Sequence, residues 1–565
     1  MVTRLNVTAK QLGPSNLIAA VCYELQIPHY VNSLVQWDEK QWKVSPGTLI
    51  LGLIINILVQ RRPLYLVEEF YKNMDLPMLF DEPVVASDFN DDALGRALDR
   101  IVDGKTLFKT VACQATIVDD IEIRTVHADT TSISLYGEFV PSDCDVLFEE
   151  ATGKRLLNIT HGYSKQHRPD LKQFVYGLLV SGDGLPLVAN VNDGNASDKI
   201  WNKEIFDEIE TSFLDPKGIL YVADSALVTL ESLSLMAKKQ IRFISRLPEN
   251  FAIAKTLKEE AWQRGEWESL GAIAQGKNAA QYWTSSLVDE IDGRQYRFVV
   301  VRSSALDKRR EKSLEKQLNK EFTELEKAKK ELEKQEFSCR PDAEMILAKF
   351  LDDYKQVAHS LFGEILEYKV TKRKPGRPRM GEEPPTVTRY RIELDITEPT
   401  AAKLKELRER ASTFVLITTE SADVWSDLDI LREYKGQSKV ETRFRFLKHP
   451  LIVNDIYLKS PRRIEALAYV VMLALLVAAF IERRVRFALD KSKQIIEILG
   501  KRKTNRPTIK VILDMLSIVN IVYVSDGSEV MRILPDNTPP NVLQLIELAG
   551  HTSSIYTTPM KTRPT

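Results

Sequence analysis

Three carboxylates stand out as residues that could do chemistry together. Asp129 and Asp224 each end an apolar, β-like run, and Glu441 lies much later in a segment, residues 434–448, that is otherwise basic, aromatic and aliphatic. Carboxylate oxygens without sulfur ligands suit Mg²⁺, and two such ions can bind the attacking and leaving oxygens of an in-line phosphoryl transfer. The basic residues around Glu441 predict a polyanionic substrate.

The segment around Glu441 is predicted to be helical. Tyr434, Gln437, Glu441 and Lys448 are spaced by three, four and seven residues, which approximate whole helical turns, so we expect them on one face. Arg443 and Arg445 are further candidates for contacts with phosphate.

This segment resembles the signature Y-x2-R-x3-E-x6-K of DDE transposases in the insertion-sequence-four superfamily. The signature positions here are Tyr434, Gln437, Glu441 and Lys448, so glutamine stands where the signature has arginine. Residues 161–170, 192–198 and 90–97 also resemble this family. The resemblance extends from about residue 15 to about residue 520.

The resemblance implies a DNA transposase that cuts and pastes through a hairpin on the transposon end. Asp129, Asp224 and Glu441 would be its catalytic residues and would hold two Mg²⁺ ions, with Mn²⁺ as a substitute. Tyr434, Gln437 and Lys448 would contact DNA, and Gln437 keeps a hydrogen-bond donor but lacks the charge of arginine. The implied partners are double-stranded DNA, as terminal inverted repeats and target, and a second copy of the chain in a synaptic homodimer.

Charge is unevenly distributed along the chain. The 565 residues carry 78 Lys and Arg against 79 Asp and Glu, but residues 432–510 hold 19 basic and 7 acidic residues, a local excess of 12. A basic segment beside the candidate site predicts DNA binding, although a solvated helical face would show the same composition.

Other features bear on location and cofactors. The four cysteines are far apart, which favours a reducing cytoplasm. The resemblance implies a bacterial cytoplasm, in which a transposase would associate with the nucleoid. The apolar stretch at 464–481 is long enough for a short membrane span but contains Glu465, so we interpret it as a buried core helix and expect no membrane partner. No phosphate-binding G-x4-G-K-[ST] loop occurs, so no nucleotide cofactor is expected.

The order of patterns predicts an α/β fold. Helical periodicity dominates the first 110 residues, with Ser45 and Asp88 as helix starts, and strand-like runs follow from residue 121. The sequence of strand, hairpin, helix, strand with Asp224, helix and strand matches a ribonuclease-H-like catalytic core. Glu441 lies 217 positions after Asp224, so a large mixed insertion must interrupt that core.

We expect five regions along the chain. They are a helical N-terminal domain that binds DNA ends (1–115), the first part of the core (116–250), an insertion domain (251–412), the second part of the core (413–520) and a C-terminal tail (521–565). The insertion is expected to contain a helical hairpin, from helices at 306–337 and 341–368. It also contains a basic loop similar to a minor-groove AT-hook, with Lys374, Arg377 and Arg379 as candidate DNA contacts.

Two other functions are compatible with these patterns. A ribonuclease-H-like nuclease or resolvase would cleave DNA without joining it. A non-catalytic DNA-binding protein would use the basic segments alone.

Overall fold

The protein has a mixed α/β structure with several sheets. The computed structural model describes residues 6–210, 214–215, 218–273, 279–306, 308–372, 386–448, 458–525 and 530–563. It divides into two compact units. The first unit combines Met1–Pro248 with Thr418–Thr565, and the second unit is Glu249–Ile417.

The N-terminal part of the first unit is helical, as predicted. Ser45 caps α3 by accepting a hydrogen bond from the backbone N of Thr48 at 3.2 Å. The next predicted start is wrong, because Asn90 caps α6 and Asp88 lies in the preceding turn. The elements are β1 Asn6–Gln11, α1 Ser15–Glu24, α2 Ile27–Leu34, α3 Pro46–Val59, α4 Val67–Tyr71, α5 Leu76–Leu79, α6 Asp91–Arg100 and α7 Gly104–Val118.

A sheet follows in the same unit. Its strands lie in the order β4-β3-β2-β5-β6, in which β4, β3 and β2 are antiparallel and β2, β5 and β6 are parallel. The predicted hairpin around residues 181–184 is present as β3 and β4. The elements are β2 Thr125–Leu135, α8 Asp143–Thr152, β3 Lys172–Ser181, β4 Pro186–Asn192, α9 Asp198–Glu210, β5 Leu220–Ala223, α10 Leu230–Lys239 and β6 Arg242–Arg246.

The second unit contains two groups of strands. One has the order β13-β9-β8-β7, and the other is a three-stranded sheet in the order β10-β12-β11. The elements are α11 Ala252–Arg264, β7 Glu268–Ala272, β8 Gln281–Ile291, β9 Arg294–Ser303, α12 Lys308–Glu333, β10 Glu336–Phe337, α13 Arg340–Asp353, β11 Ser360–Thr371, β12 Thr386–Thr397, α14 Ala401–Ser412 and β13 Phe414–Thr418.

The structure differs from the predicted helical hairpin. The second helix, α13, ends at Asp353, and residues expected to continue it form β11, which pairs with β12 along its whole length. The helices pack on that sheet through Leu332, Leu347 and Leu394. Gly363 of β11 lets α13 approach, because a Cβ there would lie 2.3 Å from the Leu347 side chain. The predicted basic loop, with Lys374, Arg377 and Arg379, lies outside the described residues.

The C-terminal part of the first unit is organised around one long helix. Ser460 caps α17, and the helix is apolar on nearly all sides over its central turns, as a helix buried in a core must be. The elements are α15 Asp427–Lys435, α16 Ser438–Leu447, α17 Pro461–Ser492, β14 Ile496–Ile498, β15 Arg502–Thr504, α18 Ile509–Leu516, β16 Asn520–Ser525, β17 Val530–Ile533 and α19 Pro540–Leu548.

The α17 helix is where the two ends of the chain meet. Four helices from the N-terminal part of the chain pack against it: α1, α3, α6 and α7. Helices α18 and α19, from the C-terminal part of the chain, also pack against it. Among the described residues, α17 alone is long and apolar enough to cross a membrane as a single helix, and 89% of its most apolar window is buried inside the protein. This burial explains why α17 is so apolar, and it agrees with the prediction of a buried core helix.

The C-terminal residues are folded onto the N-terminal region. Strand β16 pairs antiparallel with β1, from Asn6 opposite Ser525 to Gln11 opposite Asn520. The buried Tyr556 donates a hydrogen bond to the carbonyl of Gly13 at 2.7 Å. The C-terminal residues and the N-terminal helices are therefore parts of one packed unit.

Ion pairs join α17 to the N-terminal helices. Arg484 pairs with Glu24 at 2.6 Å and with Asp119 at 2.7 Å, and Arg463 pairs with Asp99 at 2.7 Å. Seven arginines of the basic segment are paired with carboxylates in this way: Arg443, Arg462, Arg463, Arg483, Arg484, Arg486 and Arg506. The local excess of 12 positive charges therefore overstates the charge available to DNA.

The ion pair between Glu24 and Arg484 should make the stability of the fold depend on pH. Burial would raise the pKa of Glu24, but His551 and Arg484 lower it from 4.5 to about 2. Because the folded pKa lies below the unfolded one, the pair contributes its stability above pH 4.5 and loses it as the pH falls from 4.5 towards 2. We expect Glu24→Gln to lower the denaturation midpoint at pH 7 and this deficit to shrink below pH 4.5.

A matched control is Glu69→Gln, an exposed glutamate in α4 that pairs with Lys72. Exposed pairs contribute little, so its effect should stay small at every pH. A Glu24→Gln deficit that is constant between pH 3 and pH 7 would contradict the assigned role of the pair.

Candidate active site

The two aspartates lie on neighbouring parallel strands. Ala128 of β2 is opposite Ala223 of β5, so Asp129 and Asp224 are the next residues on each strand. Asp224 follows the end of β5, as predicted. Asp129 does not end its strand, because β2 continues to Leu135 in pairing with β3. Asp129 instead marks the point where β2 stops pairing with β5 and pairs with β3 alone.

Both carboxylates lie near the buried phenol of Tyr221. Burial is the main cause that raises the pKa of Tyr221 well above its ordinary value, and the charges of Asp224 and Asp129 raise it further. Asp224 also accepts a hydrogen bond from the backbone N of Ala226 at 2.9 Å, which fixes it at the start of a 3₁₀ turn. The two neighbouring strands thus place both carboxylates close to one side chain.

The helix that carries Glu441 is broken. The sequence predicts one helix over 434–448, but α15 ends at Lys435 and α16 begins at Ser438. Between them the backbone bonds become 3₁₀-like, with Gln437 N donating to Tyr434 O at 3.2 Å and Val440 N donating to Gln437 O at 3.1 Å. A straight helix therefore gives the wrong angular relation between Tyr434 and Glu441.

The break lies where the helix contacts β2. Glu433 accepts hydrogen bonds from Thr125 Oγ1 at 2.8 Å and from His127 Nε2 at 2.9 Å. His127 is fully buried, and burial lowers its pKa, so a neutral ring donates to an ionised Glu433. Burial alone would raise the pKa of Glu433, but the bond from His127 lowers it. This contact fixes the start of the Glu441 helix against the strand of Asp129.

Gly436 permits the close approach at the break. A Cβ at Gly436 would lie 2.8 Å from the carbonyl of Glu433 and 3.1 Å from the His127 ring. Any larger residue would push the helix pair away from β2.

Asp129 and Glu441 line one open pocket. Lys448 shares it, and burial followed by the charge of Lys165 lowers the pKa of Lys448, while Asp129 opposes that effect. The lining residues are Asp129, Thr130, Thr131, Lys165, Glu441, Phe444, Arg445 and Lys448. Carboxylates and cations therefore face the same space.

Asp224 does not line this pocket but follows Asp129 in register on the next strand. Within the part of the chain that the structure describes, no three His, Cys, Asp or Glu side chains are close enough to form a metal site. The donor set still suits Mg²⁺ or Mn²⁺, because Asp129, Asp224 and Glu441 offer only carboxylate oxygens.

Arg443 has a different place from the one predicted. Its side chain is buried, pairs with Glu482 at 3.0 Å and donates to the carbonyl of Gly184 at 2.8 Å. Its guanidinium therefore neutralises the buried carboxylate of Glu482 and is not available to contact DNA.

The other residues of the segment 434–448 that were predicted to contact DNA are exposed or half-buried on α15, on α16 or at the break between them. Arg445 is exposed at the pocket, Lys448 ends α16 and is half-buried, and Tyr434 and Gln437 are half-buried at the break.

Two residues that shape this site were not predicted from the sequence. Lys165 reaches Asp129 from a distant loop, and Glu433 ties α15 to β2. Because side chains alternate along a strand, His127 and Asp129 are expected on the same face of β2. Nothing near them in the sequence indicates that Glu433 and Lys165 are their partners.

Two family models match the chain. Residues 7–113 match a domain of unknown function, DUF4277, and residues 114–477 match the family described as Transposase DDE domain. No curated protein matches the chain. Since the second match spans well over half of the chain and includes Asp129, Asp224 and Glu441, this protein belongs to the DDE transposase family.

Proposed function

We propose that this protein is a cut-and-paste DNA transposase of the insertion-sequence-four branch, with Asp129, Asp224 and Glu441 as its catalytic residues. The observation that carries the proposal is how the chain brings these residues together. Asp129 and Asp224 are neighbours in register on β2 and at the end of β5, and α16 brings Glu441 to the pocket of Asp129. Transposases act on DNA, and DDE transposases generally use divalent metal ions.

The three carboxylates would hold two Mg²⁺ ions, with Mn²⁺ as a substitute. Bound there, the ions would activate water or a 3′-hydroxyl and stabilise the charge of the transferring phosphoryl group. Arg445 and Lys448 would neutralise and position the DNA backbone, since both line the pocket and carry cations. Tyr434 and Gln437 would contact DNA beside them. Glu433 binds His127 of β2, and this contact would hold Glu441 close to Asp129.

A ribonuclease-H-like core is our proposal for the fold around these residues. It is supported by the antiparallel meander β2-β3-β4 followed by β5 and β6 parallel to β2. The second unit, between β6 and α15 in the chain, would be an insertion in that core that contacts DNA. Residues 1–115 would recognise the transposon ends, and the protein would act in the bacterial cytoplasm on nucleoid DNA.

The proposal can be tested on a plasmid that carries this reading frame with its native flanking DNA. With Mg²⁺ or Mn²⁺, the protein should excise a fragment that contains the reading frame and insert it into a second plasmid. Excision without insertion would favour a nuclease or resolvase instead. Binding without cleavage would favour a non-catalytic DNA-binding protein, and EDTA should stop both steps.

We further propose that two protomers hold two DNA ends. One catalytic trio serves one end, so a complex that processes both ends needs a second copy. Light scattering should then give a protein mass of about twice 64.4 kDa in the complex with two end duplexes. A complex with one protomer on two ends would overturn this arrangement. Deleting residues 1–110 is unsuitable as a test, since those helices share the core of α17.

A further inference from the structure

Lys165 is built into the pocket from a loop far away in the sequence. Its Nζ donates hydrogen bonds to both the carbonyl and the hydroxyl of Thr130 at 2.9 Å, and lies 3.8 Å from Asp129 Oδ1. The side chain is 27% exposed and lines the same pocket as Glu441 and Lys448. Its ammonium therefore lies at the edge of the reacting site and faces a space open to a ligand.

The loop that carries Lys165 is fixed along β2. The backbone N of Lys165 donates to Ser132 Oγ at 2.9 Å, and Gln166 accepts from the backbone N of Ser134 at 3.0 Å. Ser164 closes the turn by accepting from the backbone N of Arg168 at 3.1 Å. Because the loop is ordered before any ligand binds, little entropy would be lost when Lys165 contacts one.

The chemistry of the pocket indicates which ligand Lys165 would contact. Asp129 would direct its charge to a divalent ion, and the Lys165 ammonium beside it would then face a substrate that is itself anionic. A phosphodiester oxygen suits an ammonium, which acts as a point charge with hydrogen-bond donors. Lys448 already occupies the α16 side of the pocket, so Lys165 would approach from the β2 side.

We propose that Lys165 contacts the scissile phosphate, as a second cation opposite Lys448. The proposal rests on the transposase function above and adds a residue to it. Its alternative is a structural role, in which Lys165 only pairs with Asp129 and holds the loop.

The test uses a neutral phosphate. After the cleavage position is mapped with the wild-type protein, a duplex of the flanking DNA is made with a methylphosphonate there. Binding is measured with Ca²⁺ in place of Mg²⁺, so that a divalent ion can bind Asp129. On ordinary DNA, Lys165→Met should bind about tenfold more weakly, the effect of one charged hydrogen bond. It should also lower the log–log salt slope by about 0.9. On methylphosphonate DNA the wild type and Lys165→Met should bind equally.

Controls separate the possible outcomes. Lys172→Met removes a lysine that bonds Glu138 outside the pocket, and should bind both duplexes as the wild type does. Lys165→Arg keeps the charge and should restore most of the salt slope. In an Asp129→Asn background, the Lys165→Met penalty should persist on ordinary DNA, whereas a structural pairing role predicts that it disappears.

A Lys165→Met penalty of the same size on both duplexes would place Lys165 on another phosphate and overturn the proposal, as would the absence of any penalty. Wild-type protein that neither binds nor cuts the flanking DNA would instead overturn the transposase proposal itself. The two failures are thus distinguishable.

Discussion

Asp129→Asn, Asp224→Asn and Glu441→Gln are each expected to reduce DNA cleavage by about a thousandfold or more while leaving DNA binding largely intact. The three carboxylates would act as one metal-binding unit, so removing a second one should cost little beyond the first. Cleavage rates of single and double variants on the flanking-DNA substrate, with affinities measured in parallel, test this.

Asp423→Asn is a suitable control, because Asp423 is an exposed carboxylate in the loop before α15. It should cleave at the wild-type rate. Full cleavage by any one of the three single variants would remove that residue from the catalytic set. Asp224 is the most informative of them, since it lies outside the pocket that Asp129 and Glu441 share.

Glu482→Ala is expected to lower the free energy of unfolding by about 3–5 kcal/mol, the typical cost of breaking a buried ion pair by removing one partner. Glu482 pairs with Arg443 at 3.0 Å and Arg486 at 2.9 Å and accepts from the backbone N of Ile509 at 2.7 Å. Its loss leaves the buried guanidinium of Arg443 and the half-buried one of Arg486 close together without a carboxylate between them. Chemical denaturation of the purified variant measures the effect.

Arg443 and Arg445 provide a matched pair for the same question. They are two residues apart in α16, but Arg443 is buried against Glu482 and Arg445 is exposed at the pocket. Arg443→Ala should destabilise the protein markedly. Arg445→Ala should change stability by no more than about 0.5 kcal/mol and lower the salt slope of DNA binding by about 0.9. The reverse pattern would contradict the positions assigned to both.

The local periodicities predicted many elements well, while long-range packing decided the rest. The hairpin of β3 and β4 and the capped start of α3 depend on residues close in sequence, and both were predictable. The change from α13 to β11 was not, because residues 360–371 become a strand through pairing with β12. Likewise, the packing of the C-terminal residues depends on distant partners, because β16 pairs with β1 and α19 packs against α17.

The candidate site shows the same division. The types of Asp129, Asp224 and Glu441 and their positions in the chain predicted the chemistry proposed here. Charge counting could not distinguish Arg443 from Arg445, because burial depends on Glu482 of another helix. The residue spacing also could not reveal that the helix breaks at Gly436, because the break depends on the close approach of Gly436 to His127 of β2.

The pairing of β1 with β16 has a consequence for synthesis on the ribosome. The nascent N-terminal helices lack both α17, which lies at residues 461–492, and β16 until nearly the whole chain has been translated. Their apolar faces have no native cover before then, so this unit folds only after synthesis is almost finished. A gene copy shortened by a premature stop codon would therefore yield a polypeptide whose N-terminal helices lack the partners that cover their apolar faces.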